Sequence, residues 1–130
     1  MKLAIVLLLV GLAAILEAKM QNVTVKGIAV CNKRRLGNTL VQLWDRDTLD
    51  PNDLLAEVHT NSEGEFELTG GEDEVGSIEP FIRVTHSCNA KPNCQRIADY
   101  DVPKNFINGD KYDMTYLTLD IVVRGEREKC

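Results

Sequence analysis

The sequence predicts an all-β fold, an antiparallel β-sandwich of seven to eight strands, for two reasons. Apolar and polar residues alternate in short runs that are separated by turn-forming residues. After the N-terminal apolar run, no window of about 11 or more residues has the apolar stripe of an amphipathic helix. Without crossover helices, strands at this spacing are expected to pack as two antiparallel sheets.

Seven strands are predicted, over residues 22–30, 39–44, 54–60, 65–69, 78–86, 94–102 and 116–123. The first is rich in β-branched residues, which favour strands. Residues 61–64 should form a hairpin loop in which Gly64 supplies a positive φ. The last strand is the clearest, because four apolar residues lie on one of its faces: Leu117, Leu119, Ile121 and Val123.

Polar, acidic and glycine-rich segments predict the connections. Residues 32–38 form a basic turn, and residues 45–53 form an acidic loop in which Pro51 excludes a central strand. A second acidic loop is predicted over residues 70–76, and a turn-rich connection over 103–113. These assignments leave one domain, residues 19–130.

The N-terminus predicts secretion. After Lys2, residues 3–16 are 14 consecutive apolar or small residues, which is typical of a signal peptide and short of the roughly 20 that cross a membrane. Cleavage after Ala18 would remove residues 1–18. The mature chain is therefore expected outside the cell.

Cysteine number and compartment predict two disulfides, formed by Cys31, Cys88, Cys94 and Cys130. The Pro92-Asn93 pair favours a turn between Cys88 and Cys94, which predicts a Cys88–Cys94 bridge and leaves Cys31 for Cys130. The alternative is that Cys130 pairs with another chain.

Charge is strongly segregated along the chain, whose net charge is −5. Residues 45–79 contain 12 acidic residues and one basic residue, Arg46. We interpret this segment as solvated loops and strand faces; the alternative is a Ca²⁺ site in the loop with Asp45, Asp47, Asp50 and Asp53, although the spacing is not that of an EF-hand. Basic residues do not interleave with aromatic ones, so nucleic acid is not an expected partner.

The two histidines, His59 and His86, fall in predicted strands, and no nucleophile elbow accompanies them. Structural roles are therefore expected, and we predict no catalytic residue, metal or cofactor. The basic turn offers a candidate ligand-binding group, Lys33, Arg34 and Arg35, whose alternative is an ordinary solvated turn. Asn22-Val23-Thr24 is an N-glycosylation sequence, which makes Asn22 a candidate acceptor.

Several spaced motifs resemble those of the nematode transthyretin-like family of small secreted proteins. They are Val25, Gly27 and Cys31; residues 47–55; residues 64–70; Pro80 with residues 84–88; Cys94 with Arg96; and Val102-Pro103, Phe106-Ile107 and Gly109. The resemblance covers residues 23–119 and implies a transthyretin-like β-sandwich with an extracellular role. Related bacterial hydrolases end in Tyr-Arg-Gly-Ser, whereas this chain ends in residues 123–130, Val-Arg-Gly-Glu-Arg-Glu-Lys-Cys.

These observations favour a secreted, non-enzymatic recognition or adaptor module. Its loops would contact a cell-surface lipid, a small ligand or a receptor, and its partner is expected to be an extracellular protein receptor or an anionic lipid surface. The alternatives are a transthyretin-fold hydrolase and a calcium-dependent surface or matrix protein. A cleft that joins His59 or His86 to an arginine over a buried polar floor would favour the first alternative. Converging aspartates between Asp45 and Asp53 would favour the second.

Overall fold

The computed structural model describes residues 19–130, which form nine strands and one short 3₁₀ turn. The strands are β1 (Lys19–Cys31), β2 (Arg34–Arg35), β3 (Leu40–Asp45), β4 (Asp53–His59), β5 (Glu65–Glu74), β6 (Pro80–His86), β7 (Gln95–Asp101), β8 (Tyr112–Thr118) and β9 (Arg127–Lys129). The 3₁₀ turn, Lys104–Phe106, lies in the connection between β7 and β8. Across residues 19–130, no helix has the length and apolar character needed to cross a membrane. The predicted signal peptide, residues 1–18, lies outside the described residues.

The strands form two sheets. In the first sheet β1 is central; β5 and β2 pair with it antiparallel along one edge, and β8 pairs with it parallel along the other. The second sheet has the order β4-β3-β6-β7-β9, with every pair antiparallel. The all-β sandwich is therefore confirmed. The parallel pair arises because the connection after β7 carries the chain back to the first sheet before β8 begins.

The core lies between the two sheets and follows from the alternation of each strand. On β1, Val23, Val25 and Ala29 are buried while their neighbours face outward. They pack in one apolar cluster with side chains of the second sheet, including Val41, Leu43, Ile82 and Val84. Each fully buried side chain of this size contributes roughly 1.5–3 kcal/mol to folding.

The predicted acidic loop at residues 70–76 is wrong over most of its length, because β5 continues through Gly70 and Gly71 to Glu74. Gly71 lies opposite Asn22 of β1. A Cβ at Gly71 would overlap the carbonyl oxygen of Gln21. Here glycine permits a close approach between strands rather than a turn.

The predicted last strand is also too long. β8 ends at Thr118, and the N–H of Ile121 donates to the Thr118 carbonyl in a turn that leaves Ile121 61% exposed. Leu117 and Leu119 do point into the core, as predicted. The chain then returns to the second sheet, where β9 pairs with β7.

A buried ion pair fixes this C-terminal segment. The Arg96 guanidinium on β7 makes two hydrogen bonds to the Glu126 carboxylate, and both side chains are almost fully buried. Arg96 also donates to the Cys88 carbonyl at 2.6 Å, and Glu126 accepts the Val123 N–H at 3.2 Å. Because the Cys88 carbonyl and the Val123 N–H provide further hydrogen-bond partners for the two side chains, this pair positions the segment that leads into β9.

All four cysteines form disulfides within the chain, but the predicted pairing is wrong. The bridges are Cys31–Cys88 and Cys94–Cys130. Gln95 of β7 lies opposite Lys129 of β9, so the next residues outward, Cys94 and Cys130, are neighbours. Cys31 at the end of β1 meets Cys88 just beyond β6, which joins the two sheets. Neither contact is visible from sequence spacing, because both depend on pairing between distant strands.

Candidate functional site

The basic turn is a tight connection between β1 and β2. Asn32 and Lys33 both have positive φ, at 49° and 69°, which asparagine tolerates better than most residues. The Asp120 carboxylate accepts the backbone N–H of Asn32 at 3.1 Å and so ties the turn to the end of β8. The turn is therefore held by a side chain that lies 88 residues away along the chain.

Two of the three predicted basic residues line one groove. Lys33 and Arg35 border it together with Val30, Tyr116, Thr118 and Asp120, and we name it the Tyr116 groove. The register explains the assembly, since Val30 lies opposite Arg35 on one side and opposite Thr118 on the other. Arg34 does not border the groove, because successive residues of a strand point to opposite faces.

Apolar side chains extend the Tyr116 groove. Tyr116 is 60% exposed, and it and Thr118 also border a neighbouring hollow with Tyr100, Ile121 and Val123. Val122, which lies between Ile121 and Val123 in the sequence, is 72% exposed. Sequence analysis missed Tyr116 because its parallel pairing with β1 has no local signal.

The charges around the Tyr116 groove favour an anion. Arg35 makes a loose ion pair with Glu63 at 3.8 Å, whereas Lys33 takes part in no salt bridge among residues 19–130. Asp120, which accepts the Asn32 N–H, adds one negative charge to the lining, against the two positive charges of Lys33 and Arg35. The groove thus offers two cations beside an exposed aromatic ring, an arrangement suited to a ligand with one anionic and one apolar part.

A second polar site lies at the opposite end of the sandwich, where β3 and β5 end and β4 begins. Five carboxylates meet there, and we name them the acidic cluster: Asp45, Asp47, Asp53, Glu72 and Glu74. Asp50, the fourth aspartate predicted for this loop, is exposed and is not one of the five. Glu72 and Glu74 were missed because the prediction placed them in a loop. Their i, i+2 spacing on β5 puts both on one face.

The pKa values of two glutamates in the acidic cluster are raised. A hydrogen bond with the Asp45 carboxylate and burial raise the pKa of Glu72 to about 8. The same two causes, in the same order, raise the pKa of Glu74 to about 6. Asp45 itself is 1% exposed, and one of its oxygens accepts the Glu79 N–H at 2.8 Å.

The histidines do not form a joint site. His86 is 3% exposed, and its Nδ1 accepts the Cys88 N–H at 3.1 Å; burial, and secondarily the Arg96 charge, lower the pKa of His86. His59 is exposed and borders a shallow groove on the outer face of the second sheet with Arg83, Thr85 and Arg127. Arg83 is held there by two hydrogen bonds to Asp99, at 2.8 and 3.1 Å.

Asn22 lies exposed on β1. Its backbone is fixed by Asn108, which donates its N–H to the Asn22 carbonyl at 2.7 Å and accepts the Asn22 N–H on its side chain at 2.8 Å. The exposed side chain is compatible with glycosylation, which stays a prediction.

Comparison with known proteins adds several findings. Residues 26–103 match the model of the transthyretin-like family. Transthyretin-like protein 16 of Caenorhabditis elegans is 57% identical over 129 residues, which is 98% of this chain and 97% of that protein. Transthyretin-like protein 5 of the same organism is 38% identical over 138 residues, covering 100% of this chain and 99% of that protein. Transthyretin-like protein 33 is 39% identical over 105 residues, covering 78% and 73%.

Among solved structures, part of a 9R-lipoxygenase from Cyanothece superposes with a TM-score of 0.48 and 20% identity, over 85% of this chain and 20% of that enzyme. A likeness of this size says nothing about function. The family model and the relatives agree with the spaced motifs of the sequence: the chain belongs to the transthyretin-like family.

Proposed function

We propose that this protein is secreted and acts outside the cell as a non-catalytic recognition module. In this proposal the Tyr116 groove binds an anionic, amphipathic group at a cell surface, such as a lipid headgroup. The observation that supports it is the meeting of Lys33 and Arg35 with the exposed Tyr116 ring in one groove. Two intrachain disulfides are compatible with an extracellular location.

The expected free energy of binding is small, which suits a reversible contact. Each basic residue near an anionic membrane contributes about 1 kcal/mol. Tyr116, Ile121 and Val122 add exposed apolar surface beside the cations, and aromatic rings with a polar end favour the membrane interface. The combination gives weak binding, so several copies or a second partner would strengthen attachment.

Vesicle binding tests the proposal. Purified protein is mixed with phosphatidylcholine vesicles with and without phosphatidylserine, and the bound fraction is measured by flotation. Lys33→Glu and Tyr116→Ser should each lower binding about tenfold, since each removes on the order of 1.4 kcal/mol of attraction. Arg34→Glu is the matched control, because it makes the same charge change outside the groove.

An equal loss in Arg34→Glu would show general electrostatic attraction and contradict a role for the groove. Binding to a receptor ectodomain that is lost in Lys33→Glu, with no vesicle binding, would replace the lipid with a protein partner.

The non-catalytic part of the proposal has its own support. His86 uses Nδ1 to accept a backbone hydrogen bond, and His59 lies on an exposed sheet face. We expect no turnover of 5-hydroxyisourate or of a panel of esters. Hydrolysis that His59→Ala or His86→Ala abolishes would contradict this expectation.

A further inference from the structure

We infer that the acidic cluster is a Ca²⁺-binding site with Asp45 as its central ligand. This site lies at the end of the sandwich away from the Tyr116 groove, and the inference stands independently of any lipid binding. Asp45 at the end of β3 supplies the central carboxylate. Asp47 and Asp53 come from the following loop and β4, and Glu72 and Glu74 come from the end of β5.

The distances fit a bound cation within each of two carboxylate groups that share Asp45. Carboxylate oxygens of Asp45, Asp47 and Asp53 all lie within 4.8 Å of one another, and so do those of Asp45, Glu72 and Glu74. Two ligands bound to one Ca²⁺ at 2.3–2.6 Å are separated by at most about 5 Å. Asp45 belongs to both groups, so neither group can bind a cation fully without it.

Burial of Asp45 is the second, independent observation. The side chain is 1% exposed, and only one of its two oxygens has a partner, the Glu79 N–H. The other oxygen, Oδ2, is buried and accepts no hydrogen bond from a backbone N–H or a basic side chain. Glu74 likewise has a buried oxygen, Oε2, with no partner. Buried carboxylates are stable when a positive charge compensates them.

No basic side chain among residues 19–130 supplies this charge. Within the described part of the chain, none of the five carboxylates takes part in a salt bridge. Arg46 follows Asp45 directly but donates to Asp101 on β7 at 3.1 Å and stacks on the Phe81 ring. The single basic residue of the acidic segment is therefore directed away from the cluster.

The donor chemistry selects Ca²⁺. All five ligands are oxygens, which suit hard cations and disfavour zinc and copper, whose sites use histidine and cysteine. A loop that connects two strands can adapt to the six to eight ligands of Ca²⁺, whereas Mg²⁺ requires a smaller and stricter octahedron. Extracellular Ca²⁺ sites have Kd values of about 10⁻⁴–10⁻³ M. A site with an exposed ligand such as Asp53 is compatible with this weak affinity.

Calorimetric titration and thermal unfolding of the full mature chain, first stripped with a chelator, test the inference. We expect saturable Ca²⁺ binding and a rise in Tm of about 5–10 °C at about 10 mM Ca²⁺, reversed by chelator. Asp45→Asn keeps an oxygen for the Glu79 N–H and should fold, but should bind Ca²⁺ at least about tenfold more weakly.

Glu74→Gln should weaken binding in the same way, and it keeps the test decisive if Asp45→Asn does not fold. Asp73→Asn is the matched control, because Asp73 lies between Glu72 and Glu74 on the opposite face of β5 and is exposed. Its binding should equal that of the wild type. Absence of binding at about 10 mM Ca²⁺, equal responses to Mg²⁺ and Ca²⁺, or equal losses in Asp73→Asn and Glu74→Gln would each overturn the inference.

Discussion

The two disulfides should contribute unequally to stability, with Cys31–Cys88 the larger. The bridges close loops with sequence separations of 57 and 36 residues. In the chain-entropy model these loops correspond to about 4.2 and about 3.8 kcal/mol, so loop length alone hardly separates them.

Packing separates the two bridges further. Cys88 belongs to the buried core cluster and Cys31 packs against it, whereas Cys130 is exposed. Replacing Cys31 and Cys88 by alanine therefore also removes buried atoms, at a further cost of about 1 kcal/mol. For a domain of this size about 1 kcal/mol shifts Tm by roughly 4 °C, so Cys31→Ala/Cys88→Ala should melt about 6 °C below Cys94→Ala/Cys130→Ala.

Thermal melts of both double variants under oxidising conditions measure the difference. A third variant, Cys88→Ala/Cys94→Ala, checks the pairing itself: it should contain two free thiols after unfolding and melt below both other variants, because it loses both bridges. If this variant contains no free thiol, or if Cys94→Ala/Cys130→Ala melts lowest, the reasoning is wrong.

Three further predictions concern the buried ion pair, the buried histidine and the N-terminus. Glu126→Gln leaves the Arg96 charge buried without its partner, so the free energy of unfolding in denaturant should fall by about 3–5 kcal/mol, against less than about 1 kcal/mol for the exposed control Glu128→Gln. Burial holds the pKa of His86 below its ordinary 6.5, so as the pH falls the unfolded chain takes up the proton before the folded chain does. The stability that comes from neutral His86 is therefore present above about pH 6.5. Below that pH it declines by at most about 1.4 kcal/mol per pH unit. Unfolding in denaturant at about pH 7.5 and 5.5 measures this effect as a difference between two proteins: on lowering the pH, the wild type should lose more stability, or gain less, than His86→Gln. Equal changes in both proteins would contradict the role of His86. Finally, N-terminal sequencing of the secreted protein should begin within a few residues of Lys19, whereas a membrane-embedded product retaining Met1 would contradict cleavage.

Local sequence patterns predict the fold well where apolar and polar residues alternate along a strand. The core positions on β1, β3 and β6 follow from this period, because one face of each strand packs against the opposite sheet. β9 has no such signal, since its three residues are all charged and exposed. It forms through pairing with β7, and missing it led directly to the wrong disulfides.

The candidate sites were predicted only in part for the same reason. The basic turn is a local feature, and Lys33 and Arg35 lie where the sequence places them. Tyr116 joins them through the β1–β8 pairing, which connects two segments that lie far apart in the sequence. In the acidic cluster, the glycine pair at 70–71 resembles a turn, yet it allows β5 to continue and deliver Glu72 and Glu74 to Asp45.

The short strand β9 also bears on self-association. Without it, β7 would be the edge of the second sheet and would present unpaired backbone N–H and C=O groups to other molecules. Arg127, Glu128 and Lys129 cover part of that edge with a charged strand, the kind of edge that resists further pairing. Reduction of the Cys94–Cys130 bridge would therefore do more than loosen the fold, because it would let β9 detach and expose an edge on which a second copy could add a strand.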